Sequence, residues 1–436
     1  MSLRKAVVLV DGEHYPPVLE AMIASLHSRY EIAAAVFLGG SEKLKGALSL
    51  GELPVVSGSS PREALQRALD AYAPDVVVDA SDEPVLTTRG RFLLASVALS
   101  CGVPYEGAGF RFEPPRRPRL SERATVAVIG TGKRTGKTAV SGALARHAAA
   151  RGLHVVMVAM GRGGPAEPVV TRSRLDADEL LALADTGEHA ASDTYEDAVF
   201  TSVTTVGARR AGAGFSGEPL YDTVARAIEM AEHEAPDLII LEGSGTAIPP
   251  ARAGATVLVA GERTSLDVAA GFGWYRLLIS DLCVVTMAEE PLPSETSTAL
   301  TSSLAELGKD VPVIETVFRP APAGSVAGLK TFFTTTAPRD VGPRLVEHLE
   351  REWGANIVGI SHRLSDRPGL VEDLERAEGT YDVLLTELKA AAIDVAARAA
   401  VRAGRCVVFC DNEVRAHRAD LAAAFDAVIA RAQENR

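Results

Sequence analysis

Thr125-Val126-Ala127-Val128-Ile129-Gly130-Thr131-Gly132-Lys133-Arg134-Thr135-Gly136-Lys137-Thr138 runs from an uninterrupted apolar, β-rich stretch into a glycine-rich turn and on into the alanine-rich segment 137–151. That order predicts strand, loop and helix. Phosphate binding needs inward-pointing backbone N–H groups, a helix N-terminus behind them and a cation able to follow a transferring phosphoryl group. Gly130, Gly132 and Gly136 let the chain curl, because glycine tolerates positive φ. Lys137, expected to face solvent, would reach the β- and γ-phosphates of ATP, and the Thr138 hydroxyl would bind Mg2+. The residues expected to touch the nucleotide are Gly130, Thr131, Gly132, Lys133, Arg134, Thr135, Gly136, Lys137 and Thr138. One departure stands out: the position expected to hold the first glycine of the strict pattern is Thr131, flanked by Gly130 and Gly132.

Outward from the loop, Leu238-Ile239-Ile240-Leu241-Glu242-Gly243-Ser244-Gly245 reads as a buried strand ending on a carboxylate. Parallel sheets present ligands at their carboxyl edge, so Glu242 is expected beside the phosphates, holding Mg2+ directly or through water. Met160-Gly161-Arg162-Gly163-Gly164-Pro165 also follows a strand, and its glycines leave the guanidinium room to meet a phosphate. Gly207-Ala208-Arg209-Arg210-Ala211-Gly212 reads as a flexible, small-residue loop within a Gly- and Arg-bearing insertion near 161–217. Together these cations exceed what ATP needs, which points to a phosphorylated small-molecule substrate. Further positive charge gathers at Arg172 with Arg174, and at Arg116-Arg117-Pro118-Arg119, where a solvated face is the simpler reading.

The chain has 436 residues, and about 150 per domain suggests three domains. Strands alternating with helices predict α/β architecture: a parallel-sheet P-loop NTPase core, 119–308, flanked by N-terminal (1–118) and C-terminal (309–436) α/β domains. The proline-rich stretch Glu113-Pro114-Pro115-Arg116-Arg117-Pro118-Arg119 marks the first boundary. A net charge of −12 argues against nucleic acid as the main partner. No apolar run is long enough for a membrane span, and no signal-like segment opens the chain, so a cytoplasmic location is expected. Four cysteines at unhelpful spacings make a zinc or disulfide role the weaker reading.

The loop, with Leu241-Glu242-Gly243-Ser244-Gly245 after a later strand, resembles the dethiobiotin-synthetase-like branch of phosphate-loop NTPases over the middle segment. Over its whole length the chain resembles the cyclic 2,3-diphosphoglycerate synthetases. That resemblance rests on Val10-Asp11-Gly12-Glu13-His14-Tyr15-Pro16-Pro17, on 130–138, on 160–165 and on the three-segment layout. It implies an ATP- and Mg2+-dependent ligase that closes 2,3-bisphosphoglycerate into an intramolecular phosphoanhydride, releasing ADP and phosphate. Lys133, Lys137 and Arg162 are then the expected catalytic cations, with Arg162, Arg209, Arg210, Glu13 and His14 expected at the substrate and Thr138 with Glu242 at the metal. A regulatory or metal-insertion NTPase, or the same chemistry on another dianionic acid, is the alternative. The segment from 310 onward carries no assignable motif; a homodimer contact and closure over substrate are the roles open to it.

Overall fold

The computed structural model describes residues 3–172, 175–262 and 267–436. Arg174, one of the cations noted above, lies outside them. The chain forms two compact units, one of Met1–Arg116, Asp267–Ser280 and Ala299–Asp310, the other of Arg117–Leu266, Asp281–Thr298 and Val311–Arg436.

The first unit is built on β1 (Arg4–Val10), β2 (Tyr30–Phe37), β3 (Val55–Val56), β4 (Val76–Asp79), β5 (Tyr105–Gly107) and β6 (Phe110–Phe112), in the order β3-β2-β1-β4-β5-β6. All pairings are parallel except β5 with β6. Strands such as Val76-Val77-Val78 are buried on both faces, as a helix-covered parallel sheet requires. The order reverses between β1 and β4, and Asp11, Glu13 and His14 follow directly at the carboxyl end of β1.

The second unit carries one continuous sheet. Its strands are β7 (Ala124–Gly130), β8 (Val155–Gly161), β9 (Val169–Thr171), β10 (Thr204–Ala211), β11 (Tyr221–Asp222), β12 (Leu238–Glu242), β13 (Ala255–Gly261), β14 (Leu282–Thr286), β15 (Val313–Pro322), β16 (Lys330–Thr334), β17 (Asn356–Ser361), β18 (Val383–Glu387) and β19 (Cys406–Ala416). They run β11-β10-β8-β12-β7-β13-β14-β15-β19-β18-β16-β17, with β9 paired to β10. From β10 to β15 the neighbours are parallel.

The hand-over from middle to C-terminal segment happens along one long strand. β15 pairs with β14 only through Val313, Ile314 and Glu315. Its far half, Thr316 to Pro322, runs past the end of β14 and pairs antiparallel with β19. β18, β16 and β17 are parallel to β19. The C-terminal strands therefore begin beyond the carboxyl edge of the phosphate-loop strands and point back toward it. The last helix, Leu421–Glu434, returns to the phosphate-loop sheet, burying Phe425, Val428, Ile429 and Ala432 in the core that holds Val126, Val128, Leu144 and Ile240.

The insertion near 161–217 is more regular than a loop. It contains helices Ala177–Asp185 and Asp193–Thr201, and Arg209 and Arg210 lie in strand β10. The β-branched run Thr204-Thr205-Val206 starts that strand, and Gly207 and Ala208 continue it because neighbours pack against the backbone itself. A Cβ on Gly164 would sit 2.1 Å from the Ala208 carbonyl oxygen.

Candidate functional site

β7 ends at Gly130, and the phosphate loop turns into helix Lys137–Ala150 through Gly136, whose φ is +86°. Two glycines are required by close approach. A Cβ on Gly130 would lie 2.8 Å from Thr135 Oγ1 and 2.9 Å from Lys137 Cδ, and one on Gly136 would lie 2.3 Å from the Phe318 ring of β15. Gly132 is roomier. Thr131 donates its N–H to the Val259 carbonyl at 3.1 Å, and Thr286 Oγ1 donates to the Thr135 carbonyl at 2.7 Å, so β13 and β14 pin the loop from one side.

Lys137 is not the solvent-facing cation expected. It is 6% exposed and folded back, with Nζ donating to the Gly132 carbonyl at 2.8 Å. The cause is steric as well as electrostatic: the side chain crosses directly over Gly130. Burial pulls its pKa down to about 8, against the opposing pull of Glu242. Lys133 and Arg134 are exposed, Arg134 at φ +62°.

Glu242, the last residue of β12, is 1% exposed and accepts a hydrogen bond from Thr138 Oγ1 at 2.7 Å. Burial, then Asp193, pushes its pKa up to about 7. Its other oxygen, Oε2, and both carboxylate oxygens of the buried Asp197 have no hydrogen-bond partner among the described residues. Asp197 lies against Glu242; burial and then that neighbour hold its carboxyl well above the ordinary range. Facing carboxylates can bond one another only while one keeps a proton, so these orphaned oxygens are a ready seat for a cation. Thr138, Glu242 and Asp197 could hold one. No group of three or more His, Cys, Asp or Glu side chains forms a metal cage among the described residues. One or two carboxylates beside substrate phosphates are a donor set that Mg2+ takes.

Arg162 and Arg210 converge at the end of β12. A Cβ on Gly245 would lie 2.4 Å from Arg162 Nη2 and 3.3 Å from Arg210 Nη2. Arg210 is held there by the Ser244 and Gly212 carbonyls, which accept at 2.5 and 2.9 Å, while its buried Nε has no partner among the described residues. Burial and then Arg162 lower its pKa, against the opposing pull of Asp193. Alternation along β10 sends Arg209 to the opposite face, where Nε and Nη2 donate to the Gly164 carbonyl at 3.2 and 3.1 Å. Arg209 is therefore not brought to this group.

Glu13 and His14 belong to the first unit. Both bind Asp11 Oδ1, through the Glu13 N–H and His14 Nδ1, each at 2.9 Å. Arg172 pairs with Glu234, and Arg117 and Arg119 donate to the carbonyls of Ala251 and Asn435. The sequence reading missed the helix Asp193–Thr201 and with it Asp193 and Asp197. Its signal was the polar spacing Asp193-Thr194-Tyr195-Glu196-Asp197 after Ser192, which puts Asp193 and Asp197 one turn apart on one face.

Models of three domains of one family match the chain: the N-terminal domain of cyclic 2,3-diphosphoglycerate synthetase over residues 5–113, its P-loop domain over 125–317 and its C-terminal domain over 322–413. The chain belongs to the cyclic 2,3-diphosphoglycerate synthetase family. Relatives with that name come from Rubrobacter xylanophilus (44% identical, covering 94% of each chain), Methanothermus fervidus (41%, covering 94% of this chain and 92% of its own) and Thermococcus kodakarensis (42%, covering 93% and 94%). LpxK of Aquifex aeolicus, solved with ATP, is 12% identical over 72% of this chain and 90% of its own, with a TM-score of 0.41, too slight a likeness to argue from. The family and the loop geometry make this chain a P-loop, ATP-dependent synthetase of the ligase type, with ATP as cosubstrate. No helix among the described residues is long and apolar enough to cross a membrane.

Proposed function

We propose that the protein uses ATP and Mg2+ to close 2,3-bisphosphoglycerate into its cyclic intramolecular phosphoanhydride, releasing ADP and phosphate. The observation that carries this reading is the pair Arg162 and Arg210, packed over Gly245 beside Lys137. Asp193 offsets part of their mutual repulsion, and a highly anionic ligand between them would offset the rest. ATP already has the loop backbone and Lys137. The two arginines therefore suit the phosphates of a second, highly anionic substrate, which the family name supplies.

The chemistry balances in two steps. An oxygen of one substrate phosphate attacks the γ-phosphorus of ATP; the bond to the β–γ bridging oxygen breaks and ADP leaves. An oxygen of the other substrate phosphate then attacks the phosphorus just activated, breaking its bond to the added phosphoryl group, and orthophosphate leaves. Phosphoryl transfer asks for positioning and charge neutralisation more than covalent help from the protein. Lys137 tracks the transferring group, while Arg162 and Arg210 hold the substrate phosphates against their mutual repulsion. Mg2+, held by Thr138, Glu242 and Asp197, would neutralise charge on the β- and γ-phosphates. The Thr138–Glu242 hydrogen bond orients both donors in its absence.

The test is phosphorus NMR of the protein with ATP, Mg2+ and 2,3-bisphosphoglycerate. Two phosphomonoester signals should give way to coupled anhydride signals, with ADP and phosphate formed in equal amount. The Lys137→Ala protein should show none of these changes. ATP hydrolysis indifferent to 2,3-bisphosphoglycerate would favour a switch-type NTPase, and stimulation by a different bisphosphate would change the substrate.

A further inference from the structure

The C-terminal strands bear on the same site. Within β16–β19 the spatial order is β17-β16-β18-β19, so the chain reverses direction across the sheet between β16 and β18. Ligands in open parallel sheets bind outside the carboxyl ends of the strands at such a switch point. Here those ends point back at the phosphate loop. The loops following β16, β17 and β18 are tied together: the Leu364 N–H donates to the Thr335 carbonyl at 3.4 Å, and the Ala391 N–H to the Leu364 carbonyl at 3.2 Å. Glu387 fixes the cluster from beneath, accepting from Thr335 Oγ1 at 2.7 Å and from the Thr336 N–H and Oγ1 at 2.9 and 2.7 Å.

Two side-chain contacts join this edge to the nucleotide side. Arg134 of the phosphate loop donates to Ser365 Oγ at 3.3 Å. Lys389 Nζ lies 3.2 Å from Glu196, on the helix that carries Asp193 and Asp197. The neighbouring Leu388 is fully buried against Tyr195 and Val199 of that helix, which sets where Lys389 emerges. Lys389 keeps 31% of its side chain exposed, and Glu196 engages one of its three N–H donors. Two other carboxylates near it are already committed, Glu387 to the threonines and Asp411 to Arg146 at 3.0 Å.

We propose that the carboxyl ends of the C-terminal strands form the acceptor wall of the active site, where Lys389, Ser365 and Arg134 receive the substrate phosphate that attacks in the ring-closing step. This rests on the reading of the substrate as a bisphosphate. Two phosphates that must join on one small molecule need cations on both sides. Arg162 and Arg210 serve the β12 side; Lys389 and Arg134 serve the side opposite. Lys389 here binds substrate directly, and Glu196 is its partner while the site is empty.

The test compares wild type with Lys389→Met, Lys389→Arg and Ser365→Asp, varying 2,3-bisphosphoglycerate at saturating ATP and ATP at saturating bisphosphate. Ser365 is exposed, so the aspartate leaves folding unharmed while placing a carboxylate against the incoming phosphate. The expected result is a KM for 2,3-bisphosphoglycerate raised about ten- to a hundredfold in Lys389→Met and Ser365→Asp. The KM for ATP should stay within about twofold, and Lys389→Arg should recover most of the loss. Wild type that responds to 2,3-bisphosphoglycerate while both variants match its KM would overturn this assignment alone. So would equal losses for ATP and bisphosphate with a lowered melting temperature, the signature of a purely structural Lys389–Glu196 pair. Wild type that neither binds nor converts 2,3-bisphosphoglycerate would overturn the substrate reading and this assignment with it.

Discussion

Replacing Glu242 by glutamine should make the metal-free, nucleotide-free protein more stable at alkaline pH, and should leave the protein nearly inactive when Mg2+ and ATP are supplied. Burial, then Asp193, raises the Glu242 carboxyl from 4.5 to about 7, and a shift of that size is worth about 3 kcal/mol between protonation states. The sign follows from where the protons sit. Below pH 4.5 the carboxyl is protonated whether the chain is folded or not, and its burial costs nothing extra. As pH rises from 4.5 to 7 the unfolded chain gives up the proton and the folded one keeps it, so stability is lost across that window. Glutamine does not titrate, can still accept from Thr138 and can donate its amide to Asp197. The value of about 7 already includes the attraction to Lys137, so the gain above pH 7.5 is about 1–3 kcal/mol. Thermal melts in EDTA at pH 4.5 and pH 8.5 measure it: Glu242→Gln should match wild type at the lower pH and melt several degrees higher at the upper one. Its Mg2+-dependent ATP turnover should fall about a hundredfold or more. A variant that melts at or below wild type at pH 8.5 would refute the claim that this carboxylate is held against its own burial for the sake of a ligand.

The two adjacent arginines of β10 should behave in opposite ways. Arg210→Ala should raise the KM for the phosphorylated substrate by about 1.5–3 kcal/mol in free-energy terms, the worth of a hydrogen bond to a charged group. Arg209→Ala should leave both KM values within about twofold and cost about 1 kcal/mol of stability through the Gly164 carbonyl; the reverse pattern in steady-state kinetics would mean that Arg209, not Arg210, meets the substrate. Gly136→Ala should abolish ATP binding in a calorimetric titration, because φ +86° and the Phe318 ring 2.3 Å from the new Cβ leave it no room. Wild-type nucleotide affinity in that variant would show that the loop can relax.

What the sequence made legible was local. Strand, glycine turn and helix at 125–151 are adjacent in the chain, and each follows from its own residues. Glu242 was readable because its strand is buried on both faces and ends on a carboxylate. Asp197 was not: its polar helix is marked in sequence but its partner is not, since Glu242 reaches it only once helix Asp193–Thr201 packs against the phosphate-loop helix. The arginines at 209 and 210 misled for a related reason. Glycine and alanine around them suggest a flexible loop, yet small residues also serve a strand whose backbone is crowded by Gly164 and Thr194. Lys389 carries no motif at all. Its role depends on a reversal of strand direction that no periodicity encodes.

The division of β15 between two partners has a consequence for the chain as an object to be cut. Seven of its residues, Thr316 to Pro322, are paired only with β19 on that side. A fragment ending near residue 322 would expose that half of the strand as an open, hydrogen-bond-hungry border, and would also lose the helix bearing Phe425 and Ile429 from its core. Such borders recruit other chains. The C-terminal segment is thus the seam that keeps the nucleotide-binding sheet from sticking to its own copies, so its loss would register as aggregation before it registered as lost catalysis.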